Sequence, residues 1–447
     1  MVSVSIKKDT LIALVMVSVI FLFIYNARLV FIPYIGTAKI IDFLGLFVLL
    51  GFMVSGRIQI INKRQITIVS FLFVLLILLS VASAKVHGTQ DYFNVKGYFT
   101  LLVDFLLGTL FVIYCMKKFH KLNLEHFMTY YVYAAFFQAL LIVAMLVVPE
   151  IKHFVFSISA LEYLDKVNER TGGVRALGLA ASVTYDLGIL QSLGVVFISF
   201  LIREKCSAPR LMLYVVITLF LLISILVSGR SGLVGVGLAF IVVGINVFRT
   251  KLARWNSIKY TISTVGVMFG VVVIALSLLP QNYIILLERV MHFGLEIFFN
   301  YFESGELATS STDHLFTMYI EIPQNAWLFG HGYWTDPVWG TYYMSTDVGY
   351  IRDLFFFGVI GASTLYLLYL YMFINIRNKL NIYMGGKYVL LSYALFFIFF
   401  LAHAKGSFLN SAMAPKLVFI IFFIVITQQS KVINVNRAIK KHMHNES

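Results

Sequence analysis

Twelve apolar runs, each about the length a helix needs to cross a bilayer, divide this 447-residue chain. They lie near 10–26, 38–55, 66–84, 98–116, 127–149, 177–202, 211–228, 231–248, 260–279, 350–374, 388–403 and 417–428. Hydrocarbon offers a backbone amide no partner, so runs of this length are stable there as helices that satisfy their own hydrogen bonds. With 60% hydrophobic and 13% charged residues, nothing is left over for a soluble domain of ordinary size. The expectation is an all-α integral membrane protein of about 12 transmembrane helices, a single polytopic membrane domain over residues 1–447. The first run follows Lys7 and Lys8 but lacks a clean small-x-small exit, so it reads as an anchor and not as a cleaved signal.

Charge sets the orientation. With the N-terminus cytoplasmic, the inner connections and ends hold 22 of the 35 Lys and Arg, but only four of the 21 acidic residues: Asp9, Glu125, Glu204 and Glu446. This bias is a membrane topology signal, and it accounts for the net charge of +14 without a nucleic-acid partner. Both termini, including a tail at 429–447, then face the cytoplasm. Two larger loops, 150–176 and 280–349, face outward. Cys115 and Cys206 fall on the inner side, where no disulfide is expected.

Ionisable residues within apolar runs are costly and therefore informative. Asp42, Asp104, Asp186 and the pair Arg352 and Asp353 fall near the outer ends of their runs, and Arg230 sits between the seventh and eighth with almost no loop around it. Single residues have plain alternatives: Arg230 can snorkel to the interface, and Asp347 can cap the helix that follows "STD". As a set, arginines and carboxylates at one face suit an amphiphile with an anionic head and a tail in lipid.

Three segments then carry a likeness. They are "SGRSG" (228–232) leading into a Gly-rich apolar helix, "FGHGYWTDPVWGTYYMSTDVGYIRDLFFFGVIG" (329–361) and "ERTGGVRALGLAAS" (169–182). Together with the span count and the long late outer loop, they make most of the chain resemble the O-antigen polymerase family, within the polymerase and ligase superfamily of bacterial envelopes. One departure is Asp313 with His314, where many relatives carry an arginine. Gly330, Gly332, Gly358 and Gly361 of the second segment have an alternative role in turns and close packing.

The resemblance implies a GT-C-like membrane glycosyltransferase in the bacterial inner membrane, with its active site facing the periplasm. Such enzymes move a growing glycan from undecaprenyl pyrophosphate to the next carrier-linked oligosaccharide unit. A chain-length regulator and a flippase are the implied partners besides the bilayer. No cofactor is expected, and no metal either, because the chain has no Asp-x-Asp and no His/Cys cluster with metal spacing. A ligase of the same superfamily and a lipid-carrier flippase are the alternatives.

On this reading Arg175 and Arg230 form a pyrophosphate clamp, with Arg170, Arg289 and Arg352 as further candidates, since guanidinium stays charged and binds two oxygens at once. A base must take the proton of the attacking sugar hydroxyl, and Asp347, His331 and then His314 are its candidates. Trp334 and Tyr343 are the residues expected nearest the sugar, and Tyr350 of the Asp-x-Gly-Tyr element joins the substrate-binding set. The same loop aromatics, with Trp327 and Trp339, equally suit an interfacial belt.

Overall fold

A computed structural model describes residues 8–32, 35–55, 63–160, 175–181, 185–202, 207–249, 266, 281–305, 309–383 and 386–427. The described chain is helical, and its only β-pairings are isolated bridges. In chain order the helices are α1 (Lys8–Tyr25), α2 (Thr37–Val54), α3 (Lys63–Val86), α4 (Phe93–Lys118), α5 (Leu124–Val147), α6 (Pro149–Ile158), α7 (Tyr185–Leu201) and α8 (Ala208–Ser228). They continue with α9 (Leu233–Arg249), α10 (Gln281–Gly294), α11 (Glu296–Ser304), α12 (Ser310–Thr317), α13 (Gly349–Tyr383), α14 (Gly386–His403) and α15 (Ala414–Thr427).

Seven of them, α1 to α5, α8 and α13, are long and apolar enough to cross a membrane, and α7, α9, α14 and α15 are shorter apolar helices. The chain is a helical, multi-pass membrane protein. Eleven of the expected runs coincide with these elements, and the run near 260–279 lies outside the described residues apart from residue 266. The two loops expected to face outward carry helices of their own: α6 opens the first, and α10, α11 and α12 occupy much of the second.

The chain forms two compact units, each built from two stretches of sequence. The first comprises Met1–Thr37 and Glu125–Phe316. Here α7, buried from Asp186 to Phe200, packs against both α8 and α9. The approach is close because both sides lack side chains: a Cβ on Gly188 would strike the Gly229 carbonyl, and one on Gly232 the Gly188 carbonyl. The glycines of "SGRSG" therefore have a packing role. On α5, the Gln138 amide donates to the Leu177 carbonyl (2.8 Å) and accepts from the Leu179 amide (3.2 Å). Gly178 between them, at φ +56°, leaves the room this side chain needs.

The second unit comprises Ala38–Leu124 and Thr317–Ser447. In it α13 runs against α3 and α14, and α3 against α4. One residue interrupts α13: Gly358 adopts φ 62°, ψ −165°, a region essentially reserved for glycine. The break frees backbone groups that a loop then satisfies. The His331 amide donates to the Phe355 carbonyl (2.5 Å), the Gly332 amide to Phe356 (3.3 Å), and the Val359 amide to Trp327 (2.7 Å). The Ser83 hydroxyl of α3 also donates to Phe356 (2.7 Å). Gly330 and Gly332, both at positive φ, let the loop lie directly on the helix backbone. Turn and packing duty is thus what the structure shows for Gly330, Gly332 and Gly358.

A π-helical turn, Asp104–Gly108, widens α4 where Gly45 of α2 rests on the Leu107 carbonyl. It lies beside a buried charge cluster. Lys39 bridges Asp42 (2.7 Å) and Asp104 (3.0 Å), and Lys416 at the start of α15 lies 3.7 Å from the other Asp104 oxygen. Two cations face two anions, which is how a low-dielectric interior accommodates charge.

Candidate functional site

In the first unit the polar cluster begins where α8 ends. Gly229 follows Ser228 in an extended conformation, and a single 3-10 turn, Arg230–Gly232, leads into α9. Arg230 is thereby placed at the junction of two apolar helices, half-buried, with an ion pair to Glu296 at the start of α11. Arg175 is also half-buried, and its pKa is depressed, first by burial and then by the nearby Arg230 charge. The two arginines expected to act together are therefore neighbours. Arg289 is exposed on α10 and His314 is exposed on α12, while Arg170 lies outside the described residues. Glu296 escaped sequence reasoning, because its partner is 66 residues away and nothing local marks it.

In the second unit the site is the loop that precedes α13. Its anchor is Asp91, whose carboxylate accepts the backbone amides of Trp334 and Thr335, both at 2.8 Å. The Arg352 guanidinium is sandwiched between the rings of Trp334 (3.9 Å) and Tyr342 (4.2 Å) and donates to the Trp334 carbonyl (3.2 Å). Phe93 stacks on the Trp334 ring, which is buried. Arg352 and Trp334 thus hold the loop against α13 in this structure. The exposed rings of the loop include Trp327, Phe329, Trp339 and Tyr342.

His331 lies on the same loop. Its Nδ1 is 3.1 Å from the Tyr343 hydroxyl and its Nε2 3.4 Å from Asn325 Oδ1. Burial, and then the neighbouring His87, lower its pKa, which favours the neutral imidazole. Tyr343 stacks on Tyr333 (5.2 Å), and burial, followed by Tyr333 and Asp336, raises its phenol pKa. Asp347 is half-buried just ahead of α13, its backbone amide 3.4 Å from Met318 Sδ. At this helix start the Thr346 hydroxyl accepts the Val348 amide (3.3 Å) and donates to the Met318 carbonyl (2.8 Å).

One constellation was not anticipated. Asp353 and His403, both fully buried, meet at 2.8 Å. The same carboxylate accepts the Tyr366 hydroxyl (3.1 Å) and, on its other oxygen, the Asn410 amide (3.3 Å). His403 Nδ1 accepts the Leu409 amide (3.3 Å), so the ring proton lies on Nε2, toward Asp353. Tyr350 packs its ring edge on His403 and donates to the Phe400 carbonyl (2.9 Å), and Gly349 has no side chain because the His403 ring fills that space. In the sequence, His403 only marks the end of an apolar run. Its partner lies 50 residues earlier. Tyr350, expected to bind substrate, is part of this buried network.

Set beside known proteins, the chain matches no protein-family model and no curated protein.

Proposed function

We propose that this protein is a membrane glycosyltransferase that polymerises lipid-carrier-linked oligosaccharide units at the outer face of a bacterial inner membrane, with both termini cytoplasmic. One observation carries the reading: Arg175 and Arg230 are neighbouring, half-buried guanidiniums at the end of a membrane-length helix. Two cations held close enough to repel each other suit a ligand with more than one negative charge, and a carrier pyrophosphate is such a ligand. As the bond between the donor sugar and the pyrophosphate breaks, charge grows on the leaving oxygen, and fixed cations there lower the barrier. The acceptor hydroxyl loses its proton to a base.

The test is replacement of Arg230 and Arg175, singly, by Ala in a strain whose long surface glycan depends on this gene. Shortened glycan ladders with normal protein level are expected for each, and unchanged ladders refute the clamp. Deletion should leave single repeat units on the lipid anchor. A ligase deletion leaves none.

A second reading, a lipid-carrier transporter, is favoured by the interruption of α13 at Gly358 and by the buried charges around Asp104. Purified protein in liposomes separates the two. Transport moves a carrier-linked oligosaccharide between leaflets without lengthening it, whereas a polymerase lengthens it.

A further inference from the structure

Helix α11 has no buried residue, although Ile297, Phe298, Phe299, Tyr301 and Phe302 make up much of it. Its sides differ in chemistry. Phe298, Tyr301 and Phe302 fall on one face at i, i+3, i+4 spacing and are 53%, 48% and 82% exposed, while Glu296, Asn300 and Glu303 share the opposite face. A helix this short is not stable alone in water, and an apolar face this open requires cover. Its position indicates what covers it. Gly294, just before α11, rests on Leu226 near the end of membrane-length α8, and Glu296 pairs with Arg230 just past that end. The helix therefore starts at the level where α8 leaves the hydrocarbon.

We propose that α11 lies in the plane of the bilayer interface as an anchor, with Phe298, Tyr301 and Phe302 in the acyl boundary. The partner is a lipid surface, held by apolar area. The polar face carries Glu296 and Glu303 and no Lys or Arg, so anionic headgroups add no attraction. The anchor sets Glu296, and with it the Arg230 ion pair, at headgroup height. This inference needs α8 to span the bilayer and is independent of the polymerase reading.

The experiment uses the full-length protein in phosphatidylcholine liposomes, spin-labelled singly through Phe302→Cys or Glu303→Cys in a Cys115→Ser, Cys206→Ser background. The label at 302 is expected to collide freely with oxygen and to be shielded from a water-soluble nickel chelate, giving an accessibility ratio several-fold above that at 303. Added anionic lipid or high salt should leave the ratio unchanged. Phe298→Cys repeats the reading if Phe302→Cys lowers the yield. Equal ratios at the two positions overturn the proposal, as does shielding of position 302 from both reagents, which would mean that protein, such as a second copy of the chain, covers the face.

Discussion

Gly358 is the residue on which the N-terminal part of α13 depends. Its backbone conformation excludes a side chain, and a Cβ would collide with the Leu328 carbonyl and the Phe329 amide of the docked loop. Gly358→Ala should therefore cost of order 3 kcal/mol and free the 327–332 loop, read as lower thermal stability in detergent and faster proteolysis within that loop. His403→Ala is expected to cost about 1.5–3 kcal/mol, because it leaves the buried Asp353 carboxylate without the Nε2 hydrogen bond. For His331 the prediction concerns pH. A general base works when unprotonated, so the rate rises as pH climbs through its pKa, and the depression places that limb below the ordinary histidine value of about 6.5. His87→Gln removes the electrostatic contribution that adds to burial in this depression, so the acidic limb of the pH–rate profile should move upward. A limb that stays in place removes His331 from the base role.

At the level of elements, two helices among the described residues depart from regularity, and each departure is matched by a polar partner. The π-helical turn of α4 lies against α2 beside the Lys39, Asp42, Asp104 and Lys416 cluster, and the interruption of α13 receives a loop backbone. Charge balance governs the first. Lys39→Met leaves two buried carboxylates facing one lysine and should destabilise the protein by about 3–5 kcal/mol. The charge-balanced double change, Lys39→Met with Asp104→Asn, should recover part of that loss, read as the fraction remaining folded after heating in detergent. Equal losses in the single and double variants would show that packing, not charge, holds α2 to α4. For the loop before α13, Asp91→Ala removes the acceptor of two backbone amides and should raise amide hydrogen exchange at Trp334 and Thr335.

For the whole molecule, the distribution of Lys and Arg predicts cytoplasmic termini. In a Cys115→Ala, Cys206→Ala background, Trp339→Cys should react with a membrane-impermeant thiol reagent in intact spheroplasts, and Lys121→Cys only after lysis. The opposite pattern would invert the topology and with it the periplasmic reading.

Helix positions were legible in the sequence because hydropathy is a sum over neighbouring residues, and a bilayer responds to that sum. Eleven expected runs became helices for that reason. Only the tertiary structure decided which polar groups meet. Arg230 with Glu296, Asp353 with His403 and Lys39 with Asp104 join residues 66, 50 and 65 positions apart. It also decided that Arg352 and Trp334 clamp a loop, and that Glu296 and His403, which no motif marked, belong to the polar clusters. In a low-dielectric interior a charge is stable only beside its partner, and partnership is a property of the packed helices, with no trace in local sequence.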